Sequence, residues 1–275
     1  MIASERVPAH CFDHPAFSVI DRSVRSRLLS LDHFPAPDEL RKLADGLANS
    51  APLWFDFIAQ DRAQLQASGS FDRLLAQTGA VPTRVDSFHD LLGALIWLHF
   101  PALKTAIHRA QLAGDPAARG PRENAATHLD ESGVLVLSAD PAIFEALSAL
   151  KWIEVFWERR TELLQSTRFL VFGHGLLDAL RDPHPRLMGK ALFGRIAREH
   201  LELDASEFRP FVDVALARHL SEFLREPALL APLPVLGVPG WSPSQTRAYY
   251  QDERYFRTAR QRTREAGVPR WLELG

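Results

Sequence analysis

SFHDLLGALIWLHF, residues 87–100, decides the fold class. Leu91, Leu92, Ala94, Leu95, Ile96, Trp97 and Leu98 leave almost no polar face on it. A helix that is apolar nearly all round is buried among other elements, not laid on a surface. Ser87 and Asp90 have the spacing of a helix-capping pair, and Pro101 ends the segment. The apolar run 91–100 is about half of the ~20 residues that cross a bilayer. The rest of the chain is therefore expected to pack around a central, water-excluded helix.

Upstream, Pro37, Asp38 and Glu39 open a helix that reaches about residue 47. LWFDFI, residues 53–58, alternates as a strand does. A helical segment follows, broken near Gly69 and ended by Gly79, and residues 81–86 read as extended because Pro82 disfavours helix before it. Residues 1–36 show no clear period beyond a helical patch at 24–29.

Downstream, a second helix carries Lys104 and His108, and a Gly/Pro/Arg loop covers 114–122. Residues 126–138 read as a β-hairpin turning at Asp130-Glu131-Ser132-Gly133. Asp140-Pro141 opens helices at about 141–149 and 151–165. RFLVF, residues 168–172, reads as a strand that runs through Gly173-His174-Gly175 into a short helix. Further helices are expected near 188–200 and 206–225, and an arginine-rich one near 253–266. The expected fold is α+β: a mostly helical single domain with a small sheet that includes the 126–138 hairpin. Residues 1–36 form an irregular N-terminal segment and 37–226 the core. The proline-rich residues 227–275 form a tail packed on that core through Trp241, Tyr250 and Phe256.

The chain has 275 residues, 46% hydrophobic, with a formal net charge of −2. That balance argues against a nucleic-acid partner, which calls for a net positive footprint. One cysteine, Cys11, excludes an internal disulfide. A soluble cytoplasmic protein is expected, with no membrane partner.

Six stretches occur in a characteristic order: VPTRVDSFHDLLGALIWLHFPALK (81–104), RENAATHLDESGVLVLSAD (122–140), WIEVFWERR (152–160), FGHGL (172–176), PLPVLGVPGW (232–241) and YYQDERYFR (249–257). Together they resemble the bacterial family known as domain of unknown function 3025. The resemblance implies no activity, cofactor or substrate. Relatives usually carry asparagine where this chain has Gly93.

The candidate chemistry is assembled from separated residues, since GxSxG, HExxH, Walker, GxGxxG and CxxC motifs are absent. His174, between two glycines at a strand-to-helix junction, is the leading acid/base candidate, with Asp178 one turn on to orient it. Asp130 and Glu131 are its expected partners, and Arg122, Arg160 and Lys104 the expected anion clamp. Arg160, on the apolar face that carries Phe156, is either a structural ion pair or part of that clamp. His89-Asp90 matches the metal-binding pair of helical phosphohydrolases, although Asp90 also reads as a cap. His128 and Asp130, two apart in an expected strand, would face one side and form half a metal site. No cofactor is identified.

Two functions remain open. One is an enzyme or binder of a small anionic substrate, with His174, Asp130, Glu131, Arg122 and Arg160 meeting at one cleft. The other is a non-catalytic binding or scaffold protein whose polar motifs are caps, turns and ion pairs.

Overall fold

The computed structural model describes residues 7–47, 53–113, 120–225, 227–258 and 270–275. The elements run α1 (Arg22–Ser30), α2 (Pro37–Leu43), β1 (Asp56–Ala59), α3 (Arg62–Ser68), α4 (Phe71–Thr78) and β2 (Ala80–Thr83). They continue with α5 (Phe88–His99), α6 (Pro101–Leu112), α7 (Pro121–Ser132), β3 (Gly133–Ser138), α8 (Pro141–Ser148), α9 (Arg160–Ser166), β4 (Thr167–Val171) and α10 (His174–Ala179). The last are β5 (Met188–Arg195), α11 (Ala205–Phe223), β6 (Ala231–Pro234) and β7 (Leu272–Glu273). Helices dominate and the sheets are small, so the fold is α+β.

Alpha5 is the central helix that its composition requires: Leu91, Leu92, Ala94, Leu95, Ile96, Trp97 and Leu98 are all buried. No helix among the described residues is long and apolar enough to cross a membrane; α5 and α6 together would be, but they meet at a bend of 113°. The N-terminus of α6 has no cap of its own. Asp213, reaching in from α11, accepts the N–H groups of Leu103 at 2.7 Å and Ala102 at 3.0 Å. Those donors would otherwise be orphaned at a buried helix end.

The main sheet has the order β4-β3-β5-β6, with β7 also on β5. Beta3 is antiparallel to β4 and parallel to β5. A separate parallel pair joins β1 to β2.

The sheet corrects two sequence-based expectations. There is no hairpin at 126–138: α7 continues through Ser132, and β3 begins at Gly133 without a turn. Ala125, Ala126 and Leu129 form one buried helical face, and that period outweighs the turn-forming residues after it. Residues 188–195 are strand, not helix. The strand is largely buried, paired with β3, β6 and β7, and a strand covered on both faces loses the alternation that would reveal it.

The 151–165 helix is interrupted by a π-helical turn at Glu154–Glu158. The extra residue rotates the face, so Trp152, Val155 and Phe156 are followed inward by Leu163 and not by Arg160. The segment before α2 also enters the core, through Phe12, Phe17, Ile20, Val24 and Leu28. In the C-terminal segment Trp241, Tyr250 and Phe256 are all buried. The 253–266 helix is not formed over 253–258, and residues 259–269 lie outside the described residues, as does most of the 114–122 loop.

Candidate functional site

The antiparallel pairing of β3 with β4 places Val134 opposite Val171. The residues just before β3 therefore lie beside those just after β4. Gly133 O accepts from both Phe172 N (3.0 Å) and Gly173 N (2.9 Å), which fastens the end of α7 to the start of α10. A β-carbon on Gly173 would lie 2.4 Å from Gly133 N, and one on Gly175 would lie 2.4 Å from Glu131 Oε2. Glycine is required at 173, where backbone atoms stand in the way; at 175 the nearest atom is the end of the Glu131 side chain, with Glu131 O next at 3.1 Å. The consequence is that His174 sits against Asp130 and Glu131.

His174 is 9% exposed. Its Nδ1–H donates to the backbone carbonyl of Asp130 at 2.9 Å, which leaves Nε2 facing Glu131 Oε1 at 3.6 Å. Burial pushes the imidazole below its ordinary pKa; the Asp130 carboxylate opposes this, and the Lys104 ammonium reinforces it. For Asp130 itself, burial works against ionisation, but Lys104 and then His174 hold the carboxyl below its usual range. Lys104 donates directly to Asp130 Oδ1, and its ammonium lies 5.1 Å from the centre of the Trp97 ring.

His89, on the first turn of α5, packs edge-on against His174 with ring centres 4.6 Å apart. Its Nδ1 faces Asp178 Oδ2 at 3.7 Å. Asp178 is thus turned to His89, not to His174 as its position one turn along α10 suggests. His174, Asp130, Glu131, Lys104 and His89 line a cleft of about 290 Å³. Its other wall carries His108, whose Nδ1 is 2.9 Å from Asp72 Oδ1. Arg84 and Asp90 also face it, joined by two guanidinium bonds of 2.6 and 3.0 Å and by a backbone N–H bond of 2.8 Å. Burial raises the Asp90 pKa, but these Arg84 contacts dominate and keep it low.

Of the residues singled out in the sequence, His174, Asp130, Glu131, Lys104, His89 and Asp90 line this cleft; Arg122, Arg160 and His128 do not. Arg122 lies on the first turn of α7 and Asp130 near its last, roughly 12 Å along the axis at 1.5 Å per residue. Arg160 is turned away by the π-helical insertion and donates to Gln245 Oε1 at 3.3 Å. His128 is exposed. Two residues apart on a helix is about 200° of rotation, so it cannot share a face with Asp130. Asp90 is committed to Arg84 and to the Ser87 hydroxyl (3.0 Å), and Ser87 in turn caps Asp90 N–H at 3.2 Å.

Sequence reasoning missed His108, although its spacing of four from Lys104 marks one helical face. Asp72 had no local signal. Gly93 also lines the cleft, and a β-carbon there would lie 3.4 Å from His174 Cδ2.

No curated protein and no solved structure matches the chain. A family model described as protein of unknown function matches residues 55–260, three-quarters of the chain and all of the cleft's lining. The chain belongs to that family, DUF3025.

Proposed function

We propose that the cleft binds a small anionic molecule and acts on it with His174 as the acid/base group. The observation that carries this reading is the convergence of His174, Glu131, Asp130 and His89 from α10, α7 and α5 on one cleft. The hydrogen bond to the Asp130 carbonyl defines one tautomer of His174. Its Nε2 lone pair is then directed at the cleft, where a general base needs it. Gly93 supports the same reading. Glycine inside a helix costs roughly 1 kcal/mol relative to alanine, and a β-carbon here would make only ordinary contacts. The space above the His174 ring is open without a packing reason.

The anion clamp differs from the expected one. Arg122 and Arg160 lie outside the cleft, and Lys104 is already matched by Asp130. The proposed setting is the cytoplasm, in keeping with one buried, free cysteine.

Thermal-shift screening against phosphorylated and carboxylated metabolites tests the proposal. A ligand should raise the melting temperature of the wild type and fail to do so for His174→Ala. Ligands that stabilise both proteins equally would instead favour a scaffold, in which the cleft's polar groups serve only the fold.

A further inference from the structure

We propose that His89, Glu131 and His174 hold a divalent transition-metal ion such as zinc, with an open coordination position toward the cleft. The proposal rests on the cleft being the functional site and names what in it would meet an anion; with the ion bound, His174 Nε2 is a ligand and no longer the acid/base group.

The first argument is geometric. One ligand atom from each of the three residues lies within 4.8 Å of the other two. A tetrahedral ion with ligands at about 2.1 Å spaces them about 3.4 Å apart. His174 Nε2 and Glu131 Oε1 already stand at 3.6 Å. No separation exceeds 4.8 Å, so at most about 1.4 Å of closure remains, and the Glu131 side chain, 45% exposed, has room to turn toward an ion. Two imidazoles and one carboxylate are a donor set that leaves room for a substrate or water on zinc.

The second argument concerns the far side of each ring. A histidine ligand usually gives its other N–H to an oxygen that fixes ring and tautomer. His174 does so to the Asp130 carbonyl at 2.9 Å. His89 turns Nδ1 to the Asp178 carboxylate at 3.7 Å. His174 is thus backed by an oxygen at hydrogen-bond distance, and His89 has a carboxylate, shared with Arg181, within a small approach of that role.

The third argument is charge. Asp72, Asp90, Asp130 and Glu131 line the cleft against Arg84 and Lys104. With histidines neutral, the protein groups leave the cleft negative, which repels the anionic molecule proposed for it. A divalent ion reverses that sign where the substrate would sit, and its open position would accept a phosphate or carboxylate oxygen.

The test is titration of chelator-stripped full-length protein with Zn²⁺ by calorimetry, and with Co²⁺ by visible absorption. One Zn²⁺ per chain should bind, and Co²⁺ should develop the absorption of a low-symmetry nitrogen/oxygen site. Glu131→Gln and His89→Ala should each weaken Zn²⁺ binding by at least about 100-fold, with the metal-free melting temperature of Glu131→Gln unchanged. Asp178→Asn, at a carboxylate that faces His89 and also Arg181, should weaken it about 10- to 100-fold. His108→Ala, in the same cleft but outside the cluster, should bind as the wild type does. Absence of stoichiometric Zn²⁺ binding overturns the proposal. So does undiminished binding by Glu131→Gln and His89→Ala. Stoichiometric Zn²⁺ binding lost in both variants supports it, whatever the metabolite screen finds.

Discussion

Lys104 on α6 and Asp130 on α7 pair across the contact between the two helices, with only 6% and 16% of their side chains exposed. A pair this sheltered is costly to break, because removing one partner strands the other charge away from water. Lys104→Met should lower stability by about 3–5 kcal/mol. The double variant Lys104→Met/Asp130→Leu should recover part of that loss. Urea unfolding of the single and double variants measures both, and a double variant as unstable as the sum would contradict the pairing.

His99 makes the fold sensitive to acid. Its Nε2 accepts Asp21 N–H at 2.8 Å and its Nδ1–H donates to Leu95 O at 2.7 Å, so the native ring is neutral. Burial pushes its pKa down to about 4, against the Leu95 bond and with help from Arg209. The depressed value means that the unfolded chain binds the extra proton first. The His99 contribution is complete above about pH 6.5 and is lost as pH falls toward 4, by up to about 3 kcal/mol. Stability at pH 7 and pH 4.5 should differ by less in His99→Gln than in the wild type. An equal difference in both would remove His99 as the cause.

Gly93→Ala should raise stability by about 0.5–1 kcal/mol, since it adds helix propensity at a position with room for a methyl group. It should also weaken whatever binds above the His174 ring. Melting temperature with and without ligand separates the two effects. A destabilised variant would show that the space is filled by packing after all.

Tyr255 ties the C-terminal segment to the sheet. Its hydroxyl donates to Leu187 O at 2.6 Å and accepts Leu236 N–H at 2.9 Å. Tyr255→Phe should cost about 1–3 kcal/mol, because a buried backbone donor loses its partner. Faster proteolysis of residues 227–258 in the variant is the accompanying readout.

Alpha5 was legible in the sequence because its signal is local: one short segment carries the cap, the apolar run and the stop. Beta4 was legible for the same reason, from RFLVF between helix and glycine. Alpha7 and β5 were not. The segment 121–132 mixes small apolar residues with turn-forming ones, and its helical face is marked only by Ala125, Ala126 and Leu129. Beta5 carries Lys190 and Arg195 in an otherwise apolar run, and only the edges of β3 and β6 make it a strand.

The sequence by itself determined the helical class, the central helix and the identity of the polar residues available for chemistry. Those properties depend on neighbours a turn or so away along the chain. Only the tertiary structure decided which of those residues meet. His174 reaches Glu131 because β3 and β4 pair in one register, and because two glycines let α10 lie against α7. Arg160 leaves the site because one inserted residue turns its helix. Register and rotation of this kind are set by contacts between distant segments, which no local period records.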